Sequence, residues 1–236
     1  GIGELPQEVE PRREITRYFL KRNTMLANPE QLSRAIRNRP ERFGREAHLK
    51  MSHVGRVYDP DPKEHFKQAA VLQFIYPVAT SYHMVLIKRS SKNPADKHKG
   101  QIAFPGGRLE KNDANLMETA LREFEEEVGV QSNSVQVIGE LTRLFIPVSG
   151  YVVQPYVAIS ESKPNFTAQV EEVDDIIEMP LDLLLAEDTK KTTALRINDQ
   201  ITLKNVPYYD IFGHIVWGAT AMMLSELEHL MKGHQL

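Results

Sequence analysis

Residues Gly106–Val130 read GGRLEKNDANLMETALREFEEEVGV. The second half sets four carboxylates, Glu123, Glu125, Glu126 and Glu127, within five consecutive positions, and glycines stand at both ends of the segment. Like charges at helical spacing repel. A positive group among them relieves that repulsion, and a divalent cation is the simplest choice, which points to chemistry on phosphate. On a helical wheel with Glu123 at zero, Glu126 falls near about 300° and Glu127 near about 40°, one narrow arc. Met117, Ala120, Leu121, Phe124 and Val128 form a neighbouring apolar stripe between about 60° and 160°. One side of this helix can therefore pack on a core while the adjacent side shows three carboxylates. Glu125 falls off the arc and reads as a solvated charge. Arg122 can bridge back to Glu126 or fix a ligand carboxylate from behind.

An acidic helix face in solvent is the alternative reading. Two features weigh against it. The run occupies the C-terminal half of its helix, where the macrodipole disfavours anions. It also follows Phe104-Pro105-Gly106-Gly107, whose paired glycines let backbone approach a ligand closely.

These residues resemble the Nudix box: a glycine, five residues, an acid, seven residues, then Arg-Glu-apolar-x-Glu-Glu-x-Gly-apolar. Gly107 opens it, and Arg122, Glu123, Phe124, Glu126, Glu127, Gly129 and Val130 match its second half. The acid of the first half is Asp113 rather than Glu, and the spacing from Asp113 to Arg122 is one residue longer than the pattern. A second stretch, Leu86-Ile87-Lys88-Arg89-Ser90 followed by Lys97-His98-Lys99-Gly100-Gln101-Ile102-Ala103-Phe104-Pro105-Gly106-Gly107, is similar to the motif of coenzyme A pyrophosphatases. There the Ser90–Lys97 loop is about two residues longer than usual, and Lys97 stands where the family often has Arg.

The resemblance covers roughly residues 65–230. It implies an α/β fold, a Nudix-type α/β/α sandwich with a mixed sheet. Residues 1–64 are expected to form an N-terminal helical extension to a Nudix domain at 65–236. The resemblance implies Mg2+ or Mn2+ held by Glu123, Glu126 and Glu127, with a backbone carbonyl of the glycine loop, Gly106 or Gly107, Gly107 being the metal-side choice. The catalytic group is then Arg122, Glu123, Glu126, Glu127 and a later acid, for which Glu172 is the candidate; a solvated loop residue is the other reading of Glu172. Arg89, Lys97, His98, Gln101, Phe104 and Gly106 fall to the substrate, coenzyme A or its thioesters. Arg89 and Lys97 suit phosphate contact, whereas Lys92 and Lys99 read as ordinary surface lysines. For His98 a structural hydrogen bond and a ligand contact stay open. Another nucleoside diphosphate derivative, such as ADP-ribose or a dinucleotide, is the alternative substrate. A silent nucleotide-sensing domain is the alternative class, and the intact Arg122-Glu123 and Glu126-Glu127 argue against it.

Composition bounds the rest. A chain of 236 residues, 41% hydrophobic, can bury one full core with room for an appendage. The net charge of −3 implies no broad polyanion-binding surface, and no helix-turn-helix or basic stripe speaks for nucleic acid. Without cysteine there is no disulfide, thiolate metal site or cysteine nucleophile. No apolar run reaches membrane length, so the chain reads as soluble and cytoplasmic.

Along the chain, Glu14–Met25 reads as an amphipathic helix, and Asn28-Pro29-Glu30-Gln31 as the capped start of a second. A polar stretch from Arg37 to Ala47 separates these helices from the main domain. They brace the fold or pair subunits into a homodimer, and Leu49-Lys50-Met51 can approach the site. Strands are expected at Ala69–Pro77, His83–Lys88, Ile102–Phe104, Val135–Arg143, Val152–Ser160 and Val173–Glu178, with a strand and hairpin in Thr202–Phe212. Helices are expected at Ala114–Val128, ended by Gly129, at Pro180–Ala186, and at Ala219–Met231, stopped by Gly233. Trp217 is expected in the core.

Overall fold

Alternating side chains on one strand divide the molecule into two layers. In β1 (Lys67–Val78), Ala70, Leu72, Phe74 and Tyr76 are buried on one face, while Ala69 and Ile75 are buried on the other. That period of two is what a strand covered on both sides requires. In the computed structural model, which describes residues 29–59 and 65–233, the first face meets helix α3 (Leu116–Val128) through Ala120, Phe124 and Val128. The second face meets α1 (Pro29–Arg37), α2 (Phe43–Lys50), α4 (Leu181–Leu185) and the C-terminal α5 (Gly218–Lys232) in one larger cluster. The mixed α/β architecture with helices on both faces of the sheet is the one expected.

Around β1 the sheet is mixed and eight-stranded. β2 (Ser81–Arg89) returns antiparallel through a turn at Ala79, whose φ is 52°. β3 (Ile102–Ala103) pairs β2, and β4 (Gly106–Arg108) pairs β1 with Ala70 opposite Gly107. On the other side of β1 runs β7 (Tyr151–Ile159), parallel to it, flanked by β5 (Gln136–Glu140) and β6 (Leu144–Ile146). β8 (Val173–Pro180) pairs β2. A separate three-stranded antiparallel sheet holds β9 (Lys190–Arg196), β10 (Thr202–Ile211) and β11 (His214–Trp217).

Several expectations change. The polar stretch Arg37–Ala47 contains most of α2, which buries Phe43, Ala47 and His48. Its partners explain why the pattern is weak: His48 Nε2 meets Glu226 Oε2 at 3.1 Å and Ser225 Oγ donates to the Ala47 carbonyl at 2.8 Å, both partners on α5. Polar side chains satisfied by a helix far along the chain do not write an apolar stripe. Leu49-Lys50-Met51 ends this helix with Met51 buried in the core and Leu49 half exposed. Strands β4, β6, β9 and β11 lie outside the expected ranges; in β9 most side chains face solvent. Trp217 is only partly buried, since it closes β11 immediately before α5 rather than lying inside a layer. The expected helix Glu14–Met25 and the cap at Asn28 lie outside the described residues. The described part of the 1–64 segment contributes Leu32, Ile36, Phe43 and Met51 to the larger core cluster.

Candidate active site

Helix α3 is fixed at both ends. Asn115 caps it by accepting from the Glu118 N–H at 3.0 Å, and the Glu118 carboxylate reaches back to the Ala114 N–H at 2.8 Å. Gly129 ends it in the left-handed region at φ 71°. With the apolar stripe held on β1, the adjacent arc turns Glu123 and Glu127 inward against the glycine loop. The Gly106 N–H donates to Glu127 Oε2 at 2.8 Å. At Gly107 an added Cβ would collide with the Glu123 carboxyl group, so only glycine lets the loop pass this close.

The entry to strand β8 delivers the third acid. Ser90 N–H donates to the Glu172 carbonyl at 2.9 Å where β8 begins alongside β2. Carboxylate oxygens of Glu123, Glu127 and Glu172 then lie within 4.8 Å of one another, the first two buried and the third exposed. Burial pushes the Glu127 carboxyl up to about 8, with the Gly106 N–H opposing the shift and Glu123 and Glu172 adding to it. Burial also raises Glu123, against the pull of Arg122. Three converging carboxylates, two of them buried, suit a hard divalent cation, which takes oxygen ligands. The residues present fit such an ion.

Arg122 organises the acids from behind. It donates to Glu123 Oε1 at 2.9 Å and to Glu126 Oε2 at 3.1 Å, so it bridges back to Glu126 and holds the Glu123 carboxylate at once. Glu126 is the more exposed member of the arc, with 54% of its side chain accessible, and lies apart from the group of three. Asp113 takes Arg122 Nε and Nη2 at 2.8 and 2.9 Å and accepts from Thr119 Oγ1 at 2.9 Å. The Arg122 pairing holds the Asp113 carboxyl far below the usual range. The extra residue in the box thus leaves the Asp113–Arg122 pair intact, a link the shifted spacing hides.

The basic loop between β2 and β3 has partners of its own. Arg89 Nε and Nη2 both donate to Asp96 Oδ2, at 3.0 and 2.9 Å. Lys97 Nζ donates to the Val148 carbonyl at 3.0 Å, and Lys92 Nζ to the Val170 carbonyl at 2.7 Å. The loop is therefore strapped to the β6–β7 turn on one side and to the approach to Glu172 on the other. His98 Nδ1 meets Gln101 Oε1 at 3.3 Å, while its Nε2 is buried without a partner. Burial lowers the His98 pKa, favouring the neutral ring. Phe104 is 2% exposed and belongs to the core cluster, so its side chain supports the loop from below. The Gly106 N–H is already given to Glu127. Asp96 as the partner of Arg89 is an addition to the expected residues; its one signal in the sequence is its place in the same short loop.

A family description, the NUDIX domain, matches residues 66–198. The chain belongs to the Nudix family. A protein named uncharacterized Nudix hydrolase NudL from Pectobacterium atrosepticum is 36% identical over 168 residues, 70% of this chain and 83% of that one. Its namesake from Klebsiella pneumoniae is 35% identical over 174 residues, 71% of this chain and 86% of that one. Among solved structures, the Nudix hydrolase RenU from M. smegmatis superposes with a TM-score of 0.51 at 13% identity, over 77% of this chain and 98% of that one, a likeness of fold. As a Nudix hydrolase the protein acts on the pyrophosphate bond of a nucleoside diphosphate derivative. Nudix enzymes generally use divalent cations, and Glu123, Glu127 and Glu172 form a carboxylate cluster that could hold one. Among the described residues, no helix is long and apolar enough to cross a membrane.

One substitution tests this Nudix loop directly. Gly107→Ala drives a methyl into the Glu123 carboxyl. The displaced carboxylate lowers kcat by about 10²-fold or more, the scale of a 1 Å misplacement at a reacting centre. Far-ultraviolet circular dichroism should stay native, and full activity would show that Glu123 is not held by this contact.

Proposed function

We propose that the protein hydrolyses the pyrophosphate of coenzyme A or acyl-CoA, giving (acyl-)4′-phosphopantetheine and adenosine 3′,5′-bisphosphate. Mg2+ or Mn2+ is the proposed ion, with Glu123, Glu127 and the Gly107 carbonyl around it and Glu126, which Arg122 now holds outside the converging group, as a further ligand. The observation that carries the reading is the strap of Arg89, Lys97 and His98 running beside the three converging carboxylates. That loop is the stretch whose sequence is similar to the coenzyme A pyrophosphatase motif.

A bound cation would neutralise charge developing on the phosphates and lower the pKa of an attacking water. The chain's own groups do the remainder. Glu172, exposed at the mouth, takes the proton of the attacking water. The water oxygen bonds to one phosphorus, and the bond from that phosphorus to the bridging oxygen breaks. Arg122 holds Glu123 and Glu126 in place, and Asp113 holds Arg122. Arg89 and Lys97 exchange their present partners, Asp96 and the Val148 carbonyl, for phosphate oxygens. Cytoplasmic location and pairing into a homodimer belong to the same proposal.

The test is a panel of coenzyme A, an acyl-CoA, ADP-ribose and a dinucleoside polyphosphate, each with Mg2+, and the products separated by chromatography. Preferential release of adenosine 3′,5′-bisphosphate is expected. Faster cleavage of ADP-ribose or the dinucleotide would overturn the substrate, and silence on every member would overturn catalysis. In the same assay Glu172→Gln should lower kcat by about 10²- to 10⁴-fold, the range for loss of a general base, and flatten the acid limb of the pH profile. An unaltered rate would return Glu172 to an ordinary loop residue.

A further inference from the structure

Arg56 is a cation taken partly out of water, with no carboxylate opposite it among the described residues. Its Nη2 donates to the Phe145 carbonyl at 3.0 Å, and its Nε is buried without a partner. Burial lowers its pKa, and the Tyr58 phenol opposes the shift. Among the described residues no carboxylate pairs with Arg56, whereas Arg39, Arg45, Arg89 and Arg122 each have one. A guanidinium partly desolvated with nothing opposite is costly unless a ligand completes it.

Its position gives the ligand. Phe145 pairs Val152 in the β6–β7 hairpin, Val152 pairs Gln68 of β1, and two residues further along β1 Ala70 pairs Gly107. Three strand spacings and a two-residue offset put the Arg56 anchor roughly 15 Å from the glycine that abuts Glu123. Lys97 reaches the same hairpin from the other side through the Val148 carbonyl, and Lys67 lies over the Tyr151 ring at 5.5 Å. No carboxylate of the described residues pairs with either lysine. Arg56 thus anchors a cation on the hairpin at that distance from the glycine loop, with Lys67 along the way.

We infer that Arg56 binds a second anionic group of the substrate, a phosphate monoester remote from the pyrophosphate. This rests on the proposed substrate, in which the ribose carries such a phosphate. The Arg56 guanidinium carries N–H donors beyond the one given to the Phe145 carbonyl, and its planar shape suits phosphate.

The experiment compares coenzyme A with its analogue lacking the ribose phosphate, in the wild type and in Arg56→Gln. The wild type should favour coenzyme A in kcat/KM, and Arg56→Gln should cut that preference by about 10- to 100-fold, the worth of a charged hydrogen bond. A structural role would lower both substrates in parallel, and that result, or an unchanged ratio, overturns the inference. Calorimetric binding of adenosine 3′,5′-bisphosphate against adenosine 5′-monophosphate gives a second readout that needs no turnover. If coenzyme A is not cleaved but Arg56→Gln erases the preference for the bisphosphate, the substrate falls and the anion site stands. If coenzyme A is cleaved and neither ratio moves, the anion site falls and the substrate stands. Arg56→Met, which keeps the aliphatic stem, serves where circular dichroism shows Arg56→Gln unfolded, and Arg56→Lys should restore part of the preference.

Discussion

Glu127→Gln should abolish metal-dependent turnover, lowering kcat by about 10³-fold or more, the rate equivalent of roughly 4 kcal/mol of charge stabilisation. The reason is geometric. Glu127 is 2% exposed, holds the Gly106 N–H, and shares a 4.8 Å group with Glu123 and Glu172. Gln keeps an oxygen for Gly106 but brings no charge to a cation. The same substitution separates function from folding. With the folded pKa of Glu127 raised to about 8, its stability contribution is full below the unfolded value near about 4.3 and is lost as pH rises towards that folded value. At pH 8 in a chelator, Glu127→Gln should therefore melt at or above the wild type. Added Mn2+ should raise the wild-type Tm and leave the variant unmoved. A variant that still turns over, or that melts well below the wild type in chelator, would remove Glu127 from the metal site.

Glu226→Ala should be the most destabilising single change, by about 3–5 kcal/mol, the cost of stripping one partner from a buried ionic group. Glu226 is fully buried on α5. It receives Arg39 Nε at 3.0 Å, faces His48 Nε2 at 3.1 Å, and accepts from Thr142 N and Oγ1 at 3.0 and 2.8 Å. One carboxylate thus ties the segment after α1, helix α2 and the β5–β6 connection to the last helix. Gly44 sits against the same knot, where an added Cβ would overlap Thr142 Oγ1. Burial acts to raise the Glu226 pKa, but His48, Thr142 and Arg39 outweigh it, so the carboxyl is held below its ordinary value. The stability it contributes is present above the unfolded value near about 4.3 and is lost as pH falls through the folded one. Urea unfolding of wild type and variant should show the gap at pH 7 and a narrower gap near pH 4. A loss under about 1 kcal/mol would mean the cluster is solvated rather than buried.

Glu127 and Glu226 also mark the line between residues legible in the sequence and residues that are not. Local periodicity places α3, its stop at Gly129, and β1, because the residues that shape them are neighbours in the chain. Arg122, Glu123 and Glu127 are legible for the same reason. Glu172 is legible only as a candidate, since its place beside Glu123 is set by the pairing of β8 with β2. Helix α2 escapes a reading of periodicity because His48 is buried against Glu226, 178 residues away. Asp113 is obscured by an inserted residue, and Asp96 and Arg56 carry no motif.

Sequence by itself determined the family, the carboxylate arc and the glycine approach, since those depend on spacing along one helix and one loop. Tertiary structure decided which carboxylates meet, which cations are already paired, and that Arg56 is partly desolvated with no carboxylate opposite it among the described residues. Those are questions of distance across strands, and strand register is settled by the packing of both sheet faces at once.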